Sequence, residues 1–232
     1  MGKVIGIMSF KGGVGKTVSA INLASALHKC GQSTLVIDGN FLSPNLHFYL
    51  GLLTPQKTLK EIIREDIAAE NAIYEHKSGI HMMPCNFYKN IDLEKFKKMI
   101  DGLKEKYDYV LLDSGPSYTE EIIAILMVSD EIIFITTPDY PTLAATVKAT
   151  KVAQYKDVAI RGVILNRKKR FSSKISSKDV ERTTGIKVIS EIAEDSSMLK
   201  AVAKFCPVVW KYPRSKSGKA YLKLARSILD RS

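Results

Sequence analysis

The chain has 232 residues, 45% apolar and 25% charged, enough to bury a sizeable core, and no linker, repeat or low-complexity tract divides it, so 1–232 reads as a single domain. No apolar run approaches the ~18 residues of a membrane span, and Met1-Gly2-Lys3 leads straight into an apolar segment without a secretory pattern. Cys30, Cys85 and Cys206 lack metal-ligand spacing and fit a reducing cytoplasm, and the net charge is +11.

Residues 4–8 form an apolar run that reads as a buried strand. A glycine-rich segment follows, then Ile21, Leu23, Ala24 and Leu27 at helical spacing predict a helix over 16–29. Further strands are expected at 34–37, 80–83, 109–112, 131–136, 161–165 and 187–190. Helical patterns fill the gaps at 59–65, 93–106, 120–128, 142–155, 178–184, 196–204 and 218–230. Such alternation predicts an α/β fold of three layers, a doubly wound, mostly parallel sheet flanked by helices. Ligands of such sheets sit at the carboxyl ends of the strands, which gathers the loops after Met8, Ile37, Leu112 and Leu165 at one site.

The first of those loops is Lys11-Gly12-Gly13-Val14-Gly15-Lys16-Thr17. Its glycines let backbone N–H groups close around an anion, and the helix N-terminus adds partial positive charge. Lys16 is spaced to reach β- and γ-phosphates, and the Thr17 hydroxyl to ligate Mg²⁺. Phe10 stands where the general phosphate loop has a glycine, and Lys11 is the novelty. This loop resembles the deviant Walker A motif of the MinD/ParA (SIMIBI-class) P-loop ATPases.

The resemblance implies ATP and Mg²⁺ as ligands, with Lys11, Gly12, Gly13, Val14, Gly15, Lys16, Thr17 and Val18 around the nucleotide. It also implies an ATP-dependent homodimer in which Lys11 crosses to the partner's nucleotide, a charge supplied in trans like an arginine finger. Asp38 matches the first aspartate of the family's switch I, which orders the metal's water shell. Asn40 stands where a second aspartate positions the attacking water. An amide can orient water but cannot accept its proton, so slow hydrolysis with intact binding is expected; an Asx-type turn is the alternative role for Asn40. Asp113, at the tip of 109–112, fits a Walker B carboxylate holding Mg²⁺ through water, together with Thr17 and Asp38. Ser117 replaces the switch II glycine of the family. Asn166 and Arg167 resemble the pair that ends a later family strand, where the asparagine reads the adenine edge. An Asn-Lys-x-Asp guanine signature is lacking, which favours ATP over GTP.

The resemblance covers nearly the whole chain and is nearest to archaeal-type MinD-like proteins, through Ala72–Gly79, Pro138-Asp139, Glu194-Asp195 and Pro207-Val208-Val209. The last helix carries Tyr221, Leu224, Ala225 and Ile228 on one face, the pattern of a core helix rather than a membrane-inserting appendix. Residues 1–147 hold 14 Lys+Arg against 17 Asp+Glu, whereas residues 148–232 hold 21 against 7. The densest basic run is Arg167-Lys168-Lys169-Arg170, continuing through Lys174 and Lys178 around Phe171. Such a basic third suits non-specific DNA, an anionic membrane, or a solvated surface. The expectation is a cytoplasmic ATPase switch, peripheral on membrane or nucleoid, slow or stimulated by an activating protein partner. A nucleotide-dependent scaffold or DNA-binding module with negligible hydrolysis is the alternative. A metabolic ATPase of the same fold is disfavoured by the compact length and the missing cluster-ligating cysteine pair.

Overall fold

The computed structural model describes residues 2–116, 120–169 and 175–230. Strands β1 (Lys3–Met8), β2 (Thr34–Gly39), β3 (Tyr74–Glu75), β4 (His81–Met83), β5 (Tyr109–Ser114), β6 (Glu131–Thr136), β7 (Ala159–Lys168) and β8 (Val188–Ala193) form one sheet. Their order is β3-β4-β2-β5-β1-β6-β7-β8, and every pairing is parallel except β3 with β4. The helices are α1 (Lys16–Lys29), α2 (Leu46–Tyr49), α3 (Leu59–Glu65), α4 (Leu93–Leu103), α5 (Glu120–Val128), α6 (Tyr140–Tyr155), α7 (Ser177–Thr184), α8 (Ser196–Val202), α9 (Val208–Lys211) and α10 (Lys216–Leu229).

The central strands are apolar throughout because both faces are covered, and alternate residues enter two separate cores. Val4, Leu35, Val110, Ile132 and Val163 pack with Leu59, Phe96, Ile122 and Leu143 of the helices on one face. Ile5, Val36, Leu111, Ile133 and Ile164 pack with Leu23, Val208 and Tyr221 on the other. Cys85 and Cys206 are buried free thiols and Cys30 is half-buried.

α10 is a core helix. Tyr221, Leu224, Ala225 and Ile228 are buried, and Tyr221 Oη hydrogen-bonds Ser19 Oγ of α1 at 2.9 Å. Burial pushes the Tyr221 phenol up to about 12, despite the Ser19 contact. Arg161 joins Glu131 at 2.9 Å and donates to the Ile228 carbonyl, tying the helix end to β6 and β7. Among the described residues, no helix is long and apolar enough to cross a membrane.

The parallel register sets the ends of β1, β2 and β5 side by side: Ile7 pairs with Asp113, and Asp113 with Asp38. Two acids distant in sequence thus stand on neighbouring strand tips, Asp113 one strand and Asp38 two strands from β1, which leads into the glycine loop.

Candidate functional site

The chain leaves β1 at Met8 and reaches α1 through a loop that requires glycine. Gly13 and Gly15 have φ of 76° and 96°, the left-handed region that side chains disfavour. A Cβ on Gly15 would also lie 2.6 Å from Asn166 Nδ2. Lys16 curls over this loop, with Nζ donating to the Lys11 carbonyl at 3.4 Å. Burial lowers the Lys16 pKa, and the nearby Asp113 charge opposes that shift. Gly12 and Gly13 are exposed at the crest, Val14 is buried and Val18 lies in the first turn of α1.

Asp38 holds the loop after β2. Its Oδ2 accepts the N–H groups of Asn45 at 2.8 Å and Leu46 at 2.9 Å, and its Oδ1 accepts that of Asn40 at 3.1 Å. Asn45 Oδ1 in turn accepts the Thr17 hydroxyl at 3.4 Å, linking this loop to the glycine loop. Asp113 is fully buried, and neither carboxylate oxygen completes a hydrogen bond. The Thr17 hydroxyl is near enough to lower the Asp113 pKa but has its hydrogen-bonding geometry toward Asn45.

Burial raises Asp113 to about 6, against the pull of Thr17 and Lys16. Burial, then the Asp113 charge, raises Asp38 to about 8, against the N–H groups of Leu46, Asn40 and Asn45. A buried carboxylate without donors is costly, and a second one beside it more so. Mg²⁺ fits this donor set: it is held by one or two carboxylates, keeps several waters and shares phosphate oxygens. Thr17, Asp38 and Asp113 are therefore brought together in a way that suits a cation.

Asn40 is buried, its Nδ2 donating to the Ser43 carbonyl at 2.5 Å, so its amide nitrogen is used within its own loop. Asn166 donates to the Val14 carbonyl at 2.7 Å, which brings it to the glycine loop. The register slips between Leu165 and Lys168, and Arg167 has φ of 54° there; this irregularity accompanies a buried Asn166 and an exposed Arg167. Ser117 lies outside the described residues, as do Arg170, Phe171 and Lys174 of the basic run. Lys168 is paired with Glu191 at 2.6 Å and Lys169 with Glu194 at 3.7 Å, which neutralises part of that run.

Lys11 reaches back within its own chain to Asp139 Oδ1 at 3.3 Å. Asp139 also caps α6 through the Thr142 N–H at 2.9 Å. Sequence reading did not single out Asn45 or assign a role to Asp139. A Pro-Asp pair before a helix is a readable cap signal, but its contact with Lys11 spans 128 positions.

A family model described as an AAA domain matches residues 2–157. The uncharacterised ATP-binding protein MJ0169 of Methanocaldococcus jannaschii is 30% identical over 97% of this chain and 87% of its own length. The cell-division ATPase MinD of Pyrococcus furiosus has a TM-score of 0.91 at 29% identity, covering 100% of both chains. The septum site-determining protein MinD of Pyrococcus horikoshii, complexed with Mg-ADP, has a TM-score of 0.89 at 29% identity, covering 98% of this chain and 96% of its own. Likeness in sequence and in fold thus runs from end to end, and the chain belongs to the MinD/ParA family of P-loop ATPases.

Proposed function

We propose that this chain is a Mg-ATP-dependent dimerisation switch with slow ATP hydrolysis. It acts as a single domain that positions cell-division or DNA-segregation machinery on a membrane or nucleoid surface. The observation that carries this reading is Asp113, a fully buried carboxylate with two unpartnered oxygens beside the phosphate loop. An isolated buried carboxylate costs several kcal/mol in such surroundings, and a nucleotide-bound cation offsets that cost.

In this reading, the N–H groups of Gly12 to Val18 cradle the phosphates, and Lys16 reaches the β- and γ-phosphates. Thr17, Asp38 and Asp113 hold Mg²⁺ directly or through water. The cation, when bound, supplies charge neutralisation on the phosphate oxygens. Asn166 and Arg167 flank the base, and Asn40 orients water without taking its proton. Lys11 leaves Asp139 for the phosphates of a second copy; an exposed pair of this kind holds it by only about 0–1 kcal/mol.

Size-exclusion chromatography with light scattering, without nucleotide, with ADP and with ATP, tests the switch. Wild type should dimerise only with ATP and Lys11→Ala should stay monomeric. A monomer under every condition overturns the reading.

A second reading, a nucleotide-dependent scaffold that binds an anionic surface, draws on α10. Lys216, Lys219, Lys223 and Arg226 are exposed along one face at 3–4-residue spacing, and none has an ion-pair partner among the described residues. Retention on DNA that requires ATP and falls steeply with salt favours that surface, whereas retention only on anionic vesicles assigns the face to membrane. Phosphate release measured with each surface, and with a candidate activating protein, separates scaffold from enzyme.

A further inference from the structure

Glu121 is a buried carboxylate with no part in the site so far. It stands in the first turn of α5 at 6% exposure, where an acidic side chain is rarely found without partners. Its Oε1 accepts the Leu42 N–H at 2.5 Å, which fastens the loop after β2 to α5. Its Oε2 faces the loop after β5. A Cβ built on Gly115 would stand 2.7 Å from Glu121 Oε2 and 3.0 Å from Asn40 Oδ1. The two oxygens are therefore within the roughly 5–6 Å that one hydrogen-bonded water spans. The neighbouring Pro116 lies against the phosphate loop, 3.8 Å from where a Cβ on Gly12 would be. Gly115 and Pro116 thus run from the place where Glu121 and Asn40 meet to the rim of the phosphate loop.

Three buried carboxylates gather at this end of the sheet, and two already have roles. Asp38 is engaged by three backbone N–H groups, and Asp113 lies beside Thr17 and Lys16. Asn40 offers an oxygen to a water but cannot take a proton from it. We propose that Glu121 supplies the carboxylate that position 40 lacks, orienting the attacking water together with Asn40 Oδ1 and accepting its proton. This assignment rests on the ATPase reading above. In the step, the water oxygen bonds to the γ-phosphorus. The bond from that phosphorus to the β,γ-bridging oxygen breaks, and its electron pair leaves with ADP. The water's proton passes to the Glu121 carboxylate and then to solvent.

The test is Glu121→Gln in the full chain, because glutamine keeps an acceptor for the Leu42 N–H and removes only the charge. Phosphate release should fall at least about a hundredfold in kcat, the low end of general-base effects. The KM for ATP, the affinity for a fluorescent ATP analogue with Mg²⁺, and the melting temperature should stay at wild-type values. Asn40→Asp added to Glu121→Gln should recover much of the lost turnover, since it returns a carboxylate to the same water. Glu121→Asp, which keeps the charge on a shorter arm, should retain more turnover than Glu121→Gln. Wild-type turnover in Glu121→Gln, or no recovery in the double variant, overturns the assignment and leaves the ATPase reading standing. A wild-type chain that binds the analogue yet releases no phosphate overturns both.

Discussion

The aspartates at the strand tips and those at the helix starts have the same side chain and opposite environments. Asp139 accepts from the Thr142 N–H and from the hydroxyls of Thr137 and Thr142. Asp195 accepts from Ser197 and Ser217 at 2.9–3.0 Å. Burial alone would raise both, but donors outweigh it: Thr137 and Thr142 for Asp139, Ser217 and Ser197 for Asp195, and each carboxyl sits at about 2. Asp38, despite its three N–H donors, and Asp113, which has none, are more deeply buried, and burial drives them to about 8 and about 6. A carboxylate whose donors outweigh its desolvation holds the fold together; one whose desolvation outweighs its donors is held at a cost, which in the proposed function a bound cation offsets.

The largest effect should come from the charge that serves the strand-tip pair. Lys16→Ala should lower phosphate release by about 10²–10³-fold, the scale of losing one preorganised electrostatic contact, with nucleotide binding weakened in a fluorescence titration. Next is Asp113→Asn, the direct break of the comparison. At pH 8 it should stabilise the nucleotide-free chain by about 1–3 kcal/mol in denaturant unfolding and weaken Mg-nucleotide binding. Loss of stability in the nucleotide-free chain would mean that Asp113 has donors after all.

The two regions should also separate by pH. Asp38 and Asp113 have folded pKa values above the ordinary carboxylate value of 3.8, so the folded state holds protons that the unfolded state releases. Their contribution is fully present below that value and is lost as pH rises through about 6 and about 8. Asp139 and Asp195 behave in reverse: their contribution is present above 3.8 and is lost as pH falls through about 2. Melting temperature against pH should show both limbs, and saturating Mg-nucleotide should flatten the one between about 4 and 8. Asp195→Ala should cost about 1 kcal/mol at pH 7 with or without nucleotide, the ordinary loss of a helix cap. Asp139→Asn is the mildest change, since asparagine also caps. It should lower the ATP concentration for dimerisation by no more than about fivefold, the worth of one exposed ion pair, read by light scattering.

Much of this was legible locally. Helices 16–29, 59–65 and 120–128 and strand 131–136 match the observed α1, α3, α5 and β6, because hydrophobic period and glycine punctuation are properties of short windows. β2 and β5 run two residues past their expected ends, through Gly39 and Ser114, because neighbouring strands continue the hydrogen-bond ladder beyond the apolar run. β3 and α9 escaped notice at two and four residues, too short for any period. The basic run beginning at Arg167 read as one cationic stretch, yet Glu191 and Glu194 from β8 and the turn after it neutralise two of its lysines. Nothing near the run in sequence announces those acids.

By itself the sequence determined the buried strands, the left-handed glycines, the position of Lys16 at the head of α1 and the helical character of the C-terminus. Each depends on backbone preference or apolar spacing within about a dozen residues. Only the tertiary structure decided which acids meet. The sheet order sets β5 between β2 and β1, so Asp38 and Asp113, far apart in the chain, become neighbours. The same order brings Asp139 to Lys11, and Glu121 to Asn40 across Gly115. Charge–charge distance and burial are set by packing between remote segments, and those two quantities separate a capping carboxylate from one whose desolvation outweighs its donors.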